Sequence, residues 1–334
     1  MREETGMTTD TASRRIAGND GAGNDGAGSD RTGSDGAARH ARRHALADLL
    51  SRWSFLMPSM LVLTVMLAYP IFYTLEISFS SFDLASFSAD QWVGWDNYRE
   101  VMGDYRFWES LKVTLIYLAI ALPLQVALGF GIAFLINAEW WGRGILRALF
   151  IIPMVVAPVV AGGMWRMILD PLWGIANYWL GLVGLGPLDW FGDANLAMAA
   201  VIIIDTWRWT PFIVLIATAA LLALPKDVFE AAKIDGANWW STLWSVAVPL
   251  LVPVIAATFV IRWLGAVKMF DIVLAATYGG PGKATNVINL FIYEEAFRSL
   301  RFAESAAMAV IVLILTMVLT GIFLRGSRKL EELF

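Results

Sequence analysis

The chain has 334 residues, 58% of them hydrophobic and only 16% charged, with a mean hydropathy of +0.61; a soluble domain averages about 25% charged, so a water-soluble globule is excluded and lipid must be part of the solvent. The absence of cysteine excludes disulfide frameworks, thiolate metal sites and cysteine nucleophiles, and the two histidines, His40 and His44, precede the first apolar segment, so histidine chemistry inside the membrane is excluded too. Twenty-five bases against 29 acids give a net charge of −4, with no basic domain to suggest nucleic-acid binding.

Residues 1–45 differ in composition from all that follows. Positions 18–37 read as four five-residue units rich in Gly, Asp, Asn and Ser, a tract with nothing to bury and therefore expected to be a disordered tail. Its aspartates do not make a calcium loop, which needs a distal bidentate acid. No short apolar run precedes residue 54, so no cleavable signal peptide is expected there.

A bilayer core of about 30 Å needs about 20 helical residues. Runs of that length lie near 54–78, 111–137, 146–168, 196–223, 247–275 and 303–324, which predicts an all-α integral membrane domain of six transmembrane helices over 46–334. Pro153 and Pro158 in the third run and Pro211 in the fourth predict kinks. With the N-terminus inside, Arg39, Arg42, Arg43, Arg52, Arg143, Arg147, Lys226, Lys233, Arg325, Arg328 and Lys329 fall on the cytoplasmic side. Arg99, Arg106, Lys112, Lys283, Arg298 and Arg301 fall outside. That bias places both termini in the cytoplasm.

The segment between the fourth and fifth runs is the most informative. Asp227 to Lys233 is expected to form a short helix, with Pro225 at its start and Gly236 stopping it. Trp239, Trp240, Leu243 and Trp244 then recur on one face, which predicts a second, amphipathic helix at the membrane interface. Such an elbow is a shape that plugs into a partner's groove.

Glu230-Ala231-Ala232, then Asp235-Gly236, then nine residues before Val246-x-Val248-Pro249, resembles the signature loop of the permeases of binding-protein-dependent ABC importers. Within that family the likeness is to the carbohydrate-importing, maltose and glycerol-phosphate type. It is supported by Gly94-Trp95-Asp96-Asn97-Tyr98, Arg147 to Pro153, Asp205-Thr206-Trp207-Arg208-Trp209-Thr210-Pro211-Phe212, and Phe270-Asp271 through Gly279-Gly280-Pro281-Gly282 and Thr285. The resemblance covers roughly 52–325. It implies a subunit of the bacterial inner membrane, paired with a second permease above two copies of an ATPase, with an external solute-binding protein delivering a sugar, polyol or glycoside. It also implies that Glu230, Ala231, Ala232, Asp235, Gly236 and Pro249 form the ATPase-coupling loop. ATP and Mg²⁺ would then sit on the partner ATPase and no cofactor on this chain, which lacks a Gly-x-x-x-x-Gly-Lys-Ser/Thr phosphate loop.

Each charge within a span costs about 2.5–3.5 kcal/mol at the bilayer centre. Arg166 with Asp170, Arg208 with Asp205, and Lys268 with Asp271 are spaced to form local pairs on one helix face. Arg262 has only Thr258, Phe259, Gly265 and Ala266 at that spacing; it is expected to meet another helix or a wet cavity. Trp165, Trp207, Trp209 and Trp263 either stack on sugar rings in a cavity or pack between helices. Arg262, Trp207, Arg208, Trp209, Asp205 and Asp271 are therefore the candidate pathway residues, and no metal site is expected. Gly279 to Gly282 reads as a tight turn near a cavity mouth rather than an anion loop, since Pro281 removes a donor. The rivals are an ion-coupled secondary transporter, which would show inverted repeats and broken cation-coordinating helices, and a membrane hydrolase, which would need a nucleophile and base within the spans.

Overall fold

A computed structural model describes residues 56–137 and 150–331 of the chain. The expected disordered tail, the arginines at 39–52, Arg143 and Arg147 lie outside the described residues. The chain divides into two compact units, 1–69 and 70–334, and the packing discussed below lies within the second.

Helix α1 is Leu56–Ser78. An antiparallel hairpin of β1, Ser80–Asp83, and β2, Ser88–Trp92, follows it. The all-α expectation is thus corrected by one small sheet. Its turn is held by Asp83, whose carboxylate accepts from Ser86 Oγ at 2.7 Å and from the amides of Ala85 and Ser86. The Ser86 hydroxyl, then those amides, hold this carboxyl below its ordinary range. Trp92 stacks on Phe79 at 5.2 Å. The Gly-Trp-Asp-Asn-Tyr stretch explains itself here. Gly94 takes a φ of 63°, and buried Asn97 donates to the carbonyls of Ser78 and Ser80 at 3.0 and 2.9 Å, tying off the end of α1.

Helix α2 is Asp96–Gly103, and α3 runs over Tyr105–Asn137 with Pro123 inside it. Residues 150–155 are helical, and the chain then breaks at 156–157 before α4, Pro158–Ile168. The expected third span, 146–168, is therefore not one continuous helix over its described part. The residue before a proline is pushed out of the helical region, and Ala157 takes φ −59°, ψ 139°. Helix α5, Ile175–Leu182, precedes α6, Ala194–Ala223, whose first amides are capped by Asp193 Oδ1 at 2.9 Å. Helix α7 is Lys226–Ile234.

The fourth long helix, α8, spans Trp239–Ala266, not the 247–275 expected of the fifth run. Trp239 to Trp244 are its opening turns, not a separate interfacial helix. Asn238 caps them by accepting from Ser241 N at 2.8 Å. A widened turn at Leu243–Ala247 lies just ahead of Pro249, where a proline ring would clash with the carbonyl four residues back and the helix yields locally. At the other end α8 gives way to α9, Asp271–Ala276, then α10, Ile288–Phe297, and α11, Phe302–Glu331. The tight turn expected at 279–282 is present, with Gly279 and Gly282 at φ 81° and 53°. Among the described residues, five helices are long and apolar enough to cross a membrane: α1, α3, α6, α8 and α11.

Helix α3 lies along α6, with α8 against both. One cluster joins Tyr117, Leu122, Val201 and Trp263, and another joins Phe130, Ile213, Ala217 and Leu251. At one end, Glu295 is buried and accepts from Arg106 and Arg301, both at 3.1 Å, while Arg301 also reaches Glu100 and Glu304. These pairs hold α3, α10 and α11 together. Helix α9 packs on α4 through Gly162, where a Cβ would come within 2.8 Å of Ala275 Cβ and 3.0 Å of the Ile272 carbonyl. Gly162→Val is expected to destabilise this contact by about 1–3 kcal/mol through overpacking. The check is the melting temperature of the purified protein, with Gly163→Val, whose Cβ would meet nothing within 4 Å, as control.

Candidate functional site

At the middle of the second unit lies a buried polar cluster built from three of the long helices. Asp205 on α6 accepts through Oδ2 from Tyr117 Oη at 2.6 Å, Gln125 Nε2 at 2.7 Å and Arg262 Nη2 at 2.9 Å. Arg262 Nε donates to Gln125 Oε1 at 2.9 Å. Arg262 is 1% exposed and Asp205 2%. A charge pair so deep holds only when its remaining donors and acceptors are satisfied as well, and Gln125 serves both partners. Arg262 therefore meets another helix, one of the two alternatives its isolation in sequence left open. Its guanidinium lies 4.5 Å from the centre of the Trp209 ring.

Tyr117 and Gln125 were missed from sequence. Gln125 does carry a signal: it is the one amide in the otherwise apolar run between Pro123 and Asn137 of α3, and a lone polar group in a buried helix needs a partner.

None of the three expected local pairs forms within 4.0 Å among the described residues. Arg208 cannot use Asp205, which is committed to α3 and α8. Instead Arg208 Nε donates to the Val156 carbonyl at 3.1 Å, an acceptor freed by the helix break at 156–157. Its guanidinium lies 4.9 Å from the same Trp209 ring. Arg166 Nη1 donates at 2.8 Å to the carbonyl of Ala276, at the C-terminal end of α9, and faces Phe191 and Tyr278. Asp170 turns to its own loop, accepting from Trp173 N and Leu172 N at 2.9 Å, and these amides hold its carboxyl below the ordinary range. Lys268 is exposed and Asp271 half-buried, with no ion pair between them.

The tryptophans divide. Trp263 is buried and donates to Thr320 Oγ1 at 3.2 Å, a packing role. Trp165 and Trp207 meet edge to face at 5.7 Å and line a cavity of about 670 Å³ between α3, α6 and the broken segment, which includes Leu128, Pro153 and Thr210. Of the six candidate pathway residues only Trp207 lines it; Asp205, Arg208, Trp209, Arg262 and Asp271 do not.

The loop after α6 has a defined geometry. Helix α7 ends at Ile234, and Gly236, at φ 78°, lets Ala237 N reach the Ala232 carbonyl at 2.9 Å and Gly236 N reach Lys233 at 3.1 Å. This is the paired-bond helix stop that a left-handed glycine makes possible. No residue of α7 is buried. Glu230, Ala231, Asp235 and Gly236 are exposed, Ala232 and Pro249 half-buried, and Ile234 is 86% exposed.

Several apolar helices long enough to cross a bilayer, a satisfied ion pair at their core and an exposed helix–turn on the loop between two of them are the architecture of a multi-span membrane protein. Residues 102–330 match the family described as binding-protein-dependent transport system inner membrane component, and the chain belongs to it. It is 34% identical to a probable ABC transporter permease of Sinorhizobium fredii, over 85% of this chain and 91% of that one. It is 32% identical to a trehalose/maltose transport system permease of Thermococcus litoralis, over 82% and 92%, and 29% identical to a sulfoquinovosyl glycerol transport system permease of Agrobacterium fabrum, over 85% and 92%. The fold is similar to that in the crystal structure of a bacterial ABC transporter involved in the import of the acidic polysaccharide alginate, with a TM-score of 0.76 at 20% identity, covering 87% of this chain and 99% of that chain. The chain is an ABC transporter permease, a multi-pass inner-membrane protein and a transport subunit rather than an enzyme. These matches favour the ABC reading over the ion-coupled rival.

Proposed function

We propose that this permease imports a sugar or sugar-like solute handed to it by an external solute-binding protein, working with a second permease and a pair of ATPases on the cytoplasmic side. The relatives named for trehalose and maltose and for sulfoquinovosyl glycerol support the cargo class. Both termini face the cytoplasm, the broken segment 150–168 makes the remaining crossing of six, and residues 1–38 are dispensable for transport so long as Arg42, Arg43 and Arg52 stay to hold the orientation. ATP and Mg²⁺ bind the partner ATPase; this chain supplies no cofactor site. The observation that carries the coupling role is α7: nine residues, none buried, stopped by a left-handed glycine. A helix this short is not stable alone, and its exposed Val228 and Ile234 suit a groove on a partner. Glu230, Ala231, Ala232, Asp235 and Gly236 shape that plug, and Pro249 sets the turn that joins it to α8. Closure of the ATPase pair moves α7, and the attached α6 and α8 rock to expose the face bearing Asp205, Trp207, Arg208, Trp209, Arg262 and Asp271.

Because the chain has no cysteine, Ala237→Cys introduces a single thiol. With a cysteine placed in the ATPase surface groove, the two subunits are expected to cross-link in membranes, and the yield to change when ATP is added. A thiol at 237 that reacts only with reagents supplied from outside would overturn the placement.

A further inference from the structure

The polar centre holds two guanidiniums and satisfies only one of them. Arg262 is matched by Asp205, whose accepting oxygen already receives three donors. Arg208 stands midway along the 30-residue α6, about 22 Å from either end at 1.5 Å per residue. It is half-buried, and its one hydrogen bond among the described residues runs from Nε to a neutral carbonyl. Among the described residues no carboxylate lies within 4.0 Å of it; Asp205, already paired with Arg262, and then Asp271 act on it only from a greater distance. A cation held at that depth without an ion-paired carboxylate marks a functional position. Both guanidiniums flank one ring, Arg208 at 4.9 Å and Arg262 at 4.5 Å from the centre of half-buried Trp209. The two like charges repel each other around this ring, and an anion placed beside Arg208 relieves both the repulsion and the missing close partner. A cargo sugar beside half-buried Arg208 puts a carboxylate, sulfonate or phosphate substituent within reach of its fork, which suits such groups bidentately.

We propose that half-buried Arg208, beside Trp209, takes the acidic group of an anionic sugar cargo and reads its charge, while buried Arg262 stays held by Asp205. This rests on the sugar-import reading above and narrows it. The hydroxyls of a neutral sugar would accept hydrogen bonds from Arg208, but would leave its charge unanswered.

The test uses the assembled transporter in lipid nanodiscs and matched probe pairs: methyl glucuronide with methyl glucoside, and methyl galacturonide with methyl galactoside. Affinity is read by isothermal calorimetry at fixed ionic strength. In at least one pair the acidic member is expected to bind about tenfold or more tightly, since a hydrogen bond to a charged group exceeds a neutral one by about 1 kcal/mol or more and 1.4 kcal/mol is a factor of ten. Arg208→Gln should abolish that preference, lowering affinity for the acidic member far more than for the neutral one, whereas Arg208→Lys should keep part of it. Equal binding within every pair would overturn the anionic inference and leave sugar import standing. A preference that survives Arg208→Gln would overturn the role of Arg208. No binding by any probe would count against both.

Discussion

Arg262→Met is expected to destabilise the assembled permease by about 3–5 kcal/mol, the cost of leaving a buried partner charge unpaired. Asp205, 2% exposed, would keep Tyr117 and Gln125 as donors but lose its cation, and Gln125 Oε1 would lose the donor it faces. Methionine fills most of the volume, so the loss is electrostatic rather than a cavity. The double variant Asp205→Asn with Arg262→Met removes both charges and should recover much of the stability, because replacing a whole buried pair is often close to neutral. Thermal melting of the purified complex, comparing the single and double variants, reads the coupling directly. Transport should stay depressed in both, since the face beside Trp209 has lost a guanidinium. A single variant with wild-type melting temperature would mean the pair contributes nothing.

Gly236→Val is expected to cost most of the transport activity while leaving the membrane-embedded helices folded. Gly236 sits at φ 78° and a Cβ there would touch nothing within 4 Å, so the penalty is conformational: a β-branched residue is strained by roughly 1–2 kcal/mol or more in that region. The turn would open, the bonds from Gly236 N and Ala237 N to Lys233 and Ala232 would be lost, and α7 would no longer present Ile234 and Glu230 in a fixed orientation. Abundance in the membrane should be normal, and ATP hydrolysis should no longer respond to the binding protein. Gly236→Asn, which tolerates left-handed backbone better, should retain intermediate uptake. Full uptake by the valine variant would remove α7 from the coupling path.

How far the sequence speaks for itself depends on whether a feature is local. The long helices α3, α6 and α11 were readable because twenty or more apolar residues leave a chain in lipid no alternative to hydrogen-bonding itself. The turn at Gly236 was readable because the glycine, the preceding helix formers and Pro225 all lie within a dozen residues. The third run breaks at 156–157 where only a kink was expected, because a proline that bends one helix breaks another: Pro211 stays inside α6, while Pro158 starts α4 afresh. Trp239 to Trp244 were assigned to the interface because their spacing is the same whether the helix lies flat or continues into a span, and only the widened turn before Pro249 permits the second.

Arg262 stood out through the absence of a local acid, but its partner was hidden. Spacing rules connect residues three or four apart, and Asp205 had been assigned to Arg208 on that basis. The structure gives Asp205 directly to Arg262, 57 positions away, with Gln125 and Tyr117 on a third helix donating to the same carboxylate oxygen. Arg208, displaced from its apparent partner, settles on a carbonyl that only a broken helix leaves open.

On the proposed function, ATP bound elsewhere and not an ion gradient drives cargo through this chain. The most direct measurement is uptake of a radiolabelled glycoside into proteoliposomes holding the permease pair and ATPases, with the binding protein outside. Uptake should require ATP and Mg²⁺ on the ATPase side together with the binding protein, and should be indifferent to proton and sodium ionophores. Uptake that proceeds without ATP and collapses with the ionophore would contradict it.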